Sequence, residues 1–442
     1  MPEIFYAFID PKEEYQIDIT RLPWDARAAE SLISTALLLL AIFSLHWVRA
    51  RVSFWAAACL FVTLIVPAVV IGPLVHSESQ WPIVEINVVL VSCYMCFVII
   101  SGYVEITFVR FWGAVVGGHV EGEGTVKSSQ GHVLDWALLA ALLLVLLAVV
   151  MTLGFNVNLN EGLEDIYVVR LQMRDADLGF LAYAGNWAIV VTPSLLYGML
   201  AKNRSRLMLA VALAMAIETL MLVSTSTKVG IWHALIPLSY FVLQPLDHRT
   251  RVLAIVGALV AIVLVFPTIG ELFPSVSTVF QGVPRRVFYA TGFLHGFALE
   301  MFSEFPAFGF QDLLSYFTGD VVETRYTYIF GAFVGTGYDS NANVNFLADG
   351  YINGRYAGMI GVTIVAATTV GIFAGLSIVS RSLIGVLFLI AMGQAYAESA
   401  VQQVYLTGGV LIMMLFLAGR ALLMSRVQEH EEVPLANSSV LR

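Results

Sequence analysis

Arg170 and Arg174 stand one helical turn apart in LEDIYVVRLQMRDADLG, and Arg285 and Arg286 open GVPRRVFYATGFLHGFALEMFSEFP. Two like charges at that spacing on a helix repel by about a few tenths of a kcal/mol, and an anion held between them reverses the sign. Arginine is also the side chain best matched to bidentate phosphate binding. Each pair has a plainer use. Asp177 lies close enough to the first for local ion pairing, and the second could snorkel to lipid phosphates. His295 is the sole histidine of the stretch 271–355 and could take or deliver a proton near neutral pH. Asn341, Asn343, Asn345, Asp349, Tyr351 and Asn353 follow in YDSNANVNFLADGYINGRYAG. Amides and a carboxylate suit a ligand rich in hydroxyls, and they are equally ordinary turn and capping residues, with Asn353 and Gly354 placed to cap the next helix.

These residues need elements to position them, and the composition says which. Hydrophobic residues make up 59% of the 442 and charged residues 12%, with a mean hydropathy of +0.82. One soluble core could not hide so much apolar surface. A span needs about 20 mostly apolar residues, and the pattern predicts helices near 30–48, 53–76, 83–109, 133–155, 179–201, 205–224, 229–246, 252–270, 356–380, 382–399 and 403–424. The expected fold is therefore an all-α polytopic membrane protein of about 11 transmembrane helices.

The short loops set the orientation. Arg49, Arg51, Lys202, Arg204, Arg206, Arg249, Arg251 and Arg381 fall on one side with the tail residues Arg420 and Arg426. The positive-inside rule makes that side cytoplasmic. Residues 1–29 are then an outer, acidic segment with no basic start or cleavage site, so no removable signal peptide is expected. Residues 30–270 form a bundle interrupted by an outer loop at 156–178; residues 271–355 form a large outer loop; residues 356–424 return to the membrane and 425–442 are a cytoplasmic tail. Both arginine pairs thus lie on the face that topology leaves poor in cations. Glu218, Lys228, His233 and Glu398 sit near outer helix ends, where intramembrane ionisable residues are functional candidates.

Other chemistries are weaker. The net charge of −9 and the lack of a basic stripe argue against a nucleic-acid partner. Asp175 and Asp177 form a DxD pair that could hold a divalent metal, but such spacing is common by chance, and no metal or other cofactor is expected. Cys59, Cys93 and Cys96 lie in apolar helices and read as small buried hydrophobes.

Four stretches resemble the oligosaccharide repeat-unit polymerases of bacterial envelopes, the O-antigen polymerases: IYVVRLQMR, STSTKVG, PRRVFYATGFLHGFALEMFSEFP and NANVNFLADGYINGRYAG. The match covers about residues 160–360 and departs at Gly354–Arg355–Tyr356, where the pattern would carry a plainer Phe-Gly or Tyr-Gly. The resemblance implies a type C glycosyltransferase-like fold, related to O-antigen ligases, with a large helical periplasmic loop. It also implies a bacterial inner-membrane location with the active site facing the periplasm. The activity implied is metal-independent and inverting. Undecaprenyl-diphosphate-linked oligosaccharides serve as donor and acceptor, and repeat units are joined into O-antigen, capsule or exopolysaccharide. Membrane lipid is a partner, and the reading leaves room for a chain-length regulator. Within it, Arg170, Arg174 and Lys228 bind diphosphate, and Arg285, Arg286, His295 and Asp349 are catalytic. Asn341, Asn343, Asn345, Tyr351 and Asn353 bind sugar. His295 is the first choice of base and Asp349 the second, with Glu300 and Glu304 behind them. An O-antigen ligase-type transferase and a secondary transporter of an anionic or sugar solute are the alternatives.

Overall fold

The computed structural model describes residues 24–69, 83–116, 129–154, 180–201, 203–225, 233–260, 290–303, 305–311, 314, 326, 329 and 344–432. Among the described residues there is helix and no strand. In chain order come α1 (Trp24–Leu45) and α2 (Phe54–Leu60), which runs on through a π-helical stretch, Phe61–Ile65. Next are α3 (Ile83–Val116), α4 (Ser129–Leu153), α5 (Phe180–Leu200) and α6 (Arg204–Thr225). The short α7 (His233–Leu243) and α8 (His248–Val260) follow, and then α9 (Ala290–Ser303). The chain ends in α10 (Phe346–Val379), α11 (Leu383–Glu398), α12 (Val401–Leu406) and α13 (Val410–Glu432).

Three stretches, Asn87–Val115, His132–Leu153 and Phe346–Val379, are long and apolar enough to cross a membrane, and shorter apolar helices accompany them. On α4, Leu144, Leu147 and Met151 are 66%, 56% and 77% exposed. Each Å² of such surface costs about 25 cal/mol in water, so this face is built for lipid. The molecule is an all-helical, membrane-embedded protein; the figure of about eleven spans remains an expectation.

α10 is the central mast. It packs along α3, where Gly371 and Gly375, four residues apart, let the backbones close: a Cβ on Gly371 would meet Ser101 O at 2.6 Å, and one on Gly375 would meet Phe108 Cδ1 at 2.6 Å. α2 runs antiparallel to α3. Its first residues sit against Glu105, which accepts from the backbone N–H groups of Val52 (3.2 Å) and Ser53 (2.9 Å), and Ala57 O accepts from Tyr94 further back along α3 (3.0 Å).

The bundle has two unlike ends. One gathers Ser380, Asp135 and Arg420: the Arg420 guanidinium donates to Ser380 O (3.2 Å) and forms an ion pair with Asp135. The short basic turns lie toward it. There Arg49 donates to His46 Nε2 (2.7 Å), and the His46 and His248 rings meet edge to face at 5.1 Å. Arg251 caps the carbonyls of Leu243 (3.1 Å), Gln244 (3.1 Å) and Leu246 (3.0 Å) while lying over the Trp55 ring at 5.1 Å. Burial lowers the His248 pKa below its ordinary value, and the nearby His46, Arg251 and Arg49 lower it further against the opposing charge of Asp247. The opposite end is formed by α9, the start of α10 and the end of α11.

At that opposite end, the last residues of the stretch read as an outer loop, 346–353, are helical and buried. Asn345, not Asn353, is the cap: its Oδ1 accepts from the N–H groups of Leu347 (3.1 Å) and Ala348 (3.0 Å). Gly354 (φ −152°, ψ 20°) and Arg355 (φ 57°, ψ −146°) then break the helix, and the chain doubles back. In a straight helix Gly350 and Gly358 would be about 12 Å apart. Here they touch, and a Cβ on Gly358 would lie 2.0 Å from Gly350 O. Residues 356–379 remain long enough, at about 36 Å, to cross a bilayer. The last helix, α13, continues to Glu432. Cys59 and Cys93 are buried as expected, whereas Cys96 is exposed on the outer surface of α3, three residues round the helix from Cys93.

Candidate functional site

The doubled-back segment carries the polar residues. Asn345, Asp349 and Asn353 recur every four residues, so a helix stacks them on one face. All three are buried, at 3%, 0% and 3% exposure. Buried polar groups must find partners, and these do. Tyr326 donates its hydroxyl to Asp349 Oδ1. Asn353 Nδ2 donates to the same oxygen (3.0 Å) and to Asp349 O (2.9 Å), and Gln402 Nε2 approaches it at 3.5 Å. Asn353 Oδ1 accepts from Phe310 N (3.0 Å). The adjoining N–H groups of Phe308 and Gly309 satisfy the terminal carbonyls of Ile352 (3.1 Å) and Asn353 (2.9 Å).

His295 joins this group from α9. Its Nδ1 lies 3.0 Å from Asn345 Nδ2 and 3.2 Å from Asn345 Oδ1. The capping bonds decide between them. Asn345 Oδ1 already accepts two backbone N–H groups, so Nδ2 faces the imidazole and donates. His295 Nδ1 is then an acceptor, and the neutral ring carries its proton on Nε2. Phe302, Tyr326 and Phe308 pack edge to face around the group, and with Ala298, Val344, Ala348 and Ile352 they form a small core of their own.

Of the residues singled out from the sequence, the structure brings together His295, Asn345, Asp349 and Asn353, with Tyr351 close by. The Tyr351 ring is buried at 3% exposure, 5.6 Å from Tyr356 in an edge contact and 5.1 Å beneath the Arg355 guanidinium. The amides of Asn345 and Asn353 serve as cap and brace within the protein. Arg170, Arg174, Lys228, Arg285, Arg286, Asn341, Asn343 and Glu304 lie outside the described residues, as do Asp175, Asp177 and the side chain of Glu300. Sequence reading missed Tyr326 and Gln402. Nothing marks Tyr326 in the chain, but Gln402 and Gln403 are adjacent amides at an apolar helix start, a visible oddity. Among the described residues no three metal-ligating side chains converge.

A second buried group lies between α5, α6 and α7. Glu218 and His233 are 1% and 3% exposed, and Tyr197 donates to Ala234 O beside them (2.6 Å). Neither Glu218 oxygen has a hydrogen-bond partner among the described residues. Glu398 ends α11 and accepts from Gln394 Nε2 (2.5 Å).

The chain matches no protein-family model, no curated protein and no solved structure.

Proposed function

We propose that the chain is a membrane glycosyltransferase that polymerises undecaprenyl-diphosphate-linked oligosaccharide units at the bundle end bearing His295 and Asp349. That end is the outer face if the basic turns are cytoplasmic. One observation supports the reading most: a carboxylate and an imidazole, buried and fixed by dedicated amide and phenol partners, sit together at the end away from the basic turns. Asp349 accepts the proton of the acceptor hydroxyl. The hydroxyl oxygen bonds to the anomeric carbon as the bond to the diphosphate breaks, and the diphosphate leaves with the electron pair, inverting the carbon. His295, with its proton on Nε2, donates to a sugar oxygen and orients the reacting pair. We assign the base to Asp349 rather than His295 because His295 Nδ1 already accepts from Asn345 Nδ2. Arg170, Arg174, Arg285, Arg286 and Lys228 would stabilise the departing charge, which grows in the transition state.

The test is the purified full chain in proteoliposomes supplied with a lipid-linked repeat unit. A ladder of products is expected from the unaltered protein and none from Asp349→Asn; single units only from the unaltered protein would refute the reading. A proton-coupled carrier is the second reading, and Glu218 with His233 inside the bundle favours it. Uptake of labelled solute driven by a pH gradient, without ladders, would establish it instead.

A further inference from the structure

Arg355 occupies a backbone position that suits almost any residue less well than glycine. Its φ of 57° and ψ of −146° fall near a region that is essentially reserved for glycine, and a glycine stands one residue earlier. Strain of this kind persists where the side chain is needed. The guanidinium lies 5.1 Å over the Tyr351 ring and donates through one nitrogen to Phe302 O, at the end of α9 and two turns beyond His295. That single bond uses one edge of a five-donor fork. Among the described residues the guanidinium makes no second hydrogen bond, and Arg355 is only half-buried. A guanidinium stacked on an aromatic face and pinned at one nitrogen is pre-organised, so little freedom remains to be lost when its open edge meets an anion.

The geometry points to Arg355 as an anion-binding residue of this site, taking a diphosphate through the open edge of its guanidinium. The identity of that diphosphate as the lipid-linked leaving group rests on the proposed function; the anion site itself does not.

The experiment uses the purified full chain in nanodiscs of phosphatidylcholine, with inorganic pyrophosphate as probe, and follows thermal denaturation and direct binding. Pyrophosphate is expected to raise the melting temperature of the unaltered protein. Arg355→Gly is expected to bind pyrophosphate roughly tenfold or more weakly while melting no lower than the parent in its absence, because glycine relieves the backbone. Arg355→Lys is expected to retain charge but lose most of the affinity. If Arg355→Gly melts lower and pyrophosphate binding is unchanged, Arg355 is a brace between α9 and α10 and the inference is overturned. It is overturned also if phosphatidylglycerol nanodiscs, and not pyrophosphate, give the Arg355-dependent shift, since the site then belongs to lipid headgroups. The two proposals separate cleanly. Ladders without Arg355-dependent binding refute only the inference, and Arg355-dependent binding without ladders refutes only the polymerase reading.

Discussion

Asp135 and Asp349 are both buried aspartates on membrane-type helices, and their partners could hardly differ more. Asp135 is met by the Arg420 guanidinium, a full opposite charge delivered from 285 residues away. Among the described residues Asp349 is met by a phenol and two amides, from Tyr326, Asn353 and Gln402. A cation neutralises a carboxylate and locks it in one state. Neutral donors fix its direction without adding a charge. The first arrangement ties helix ends together, whereas the second suits a group that reacts. The same division runs through the two ends of the bundle, since Arg251 is spent on three carbonyl caps beside the basic turns and His295 meets the amide of Asn345.

The contrast breaks most visibly in activity. Asp349→Asn keeps the shape and should cut polymer formation about 100-fold or more while leaving thermal stability close to the parent. The matching change at the other end, Asp135→Asn, should leave the rate per folded molecule intact. Loss of product from both, or from neither, would erase the distinction. Arg420→Ala carries the next largest effect. It strands a buried charge and should destabilise the protein by about 3–5 kcal/mol, measured by thermal denaturation in one detergent. Replacing Asp135 and Arg420 together by apolar side chains should recover most of that loss.

How much of this was legible in the chain follows from what each feature depends on. Lipid-facing helices such as α4 answer to local hydropathy, which a single sequence displays. The segment 346–353 does not. FLADGYIN mixes Asn, Asp and Gly, the vocabulary of turns, and it reads as loop. Its four-residue spacing of Asn345, Asp349 and Asn353 was present all along, but that spacing carries meaning only once the stretch is helical. The pairing of His295 with Asn345 spans 50 positions and Arg420 with Asp135 spans 285. Contacts that distant are products of packing and leave no local pattern. The amide of Asn345 suits a sugar hydroxyl when read from the chain alone, and in the structure its oxygen caps a helix.

Smaller effects refine the comparison. Gly358→Ala forces a methyl group against Gly350 O and should cost about 1–3 kcal/mol, with activity falling as the short helix is displaced. Gly361→Ala, three residues on where nothing lies within 4 Å of a new Cβ, should be neutral or stabilising by up to about 1 kcal/mol. Similar losses from both would mean that the close approach at Gly350 has no special role. The weakest handle is acid. The folded His248 pKa lies below its unfolded value, so the unfolded chain takes up the proton first as pH falls. Stability from this group is present above about pH 6.5 and declines as the pH drops from there toward the folded value. Lowering the pH from about 7.5 to about 5.5 should therefore loosen the contact of His248 with His46, and His248→Asn should flatten that part of the melting profile.

The doubling-back at Gly354 and Arg355 has a consequence for how the carboxylate of Asp349 is placed. Asp349 takes its depth from residues 356–379 through glycine-lined contact with the same chain, much as a plumb line hangs from a beam. Level and direction are thereby assigned to separate stretches of the polypeptide: residues 356–379 set the height of the carboxylate along the bundle, while Tyr326, ahead of Asn345, aims it.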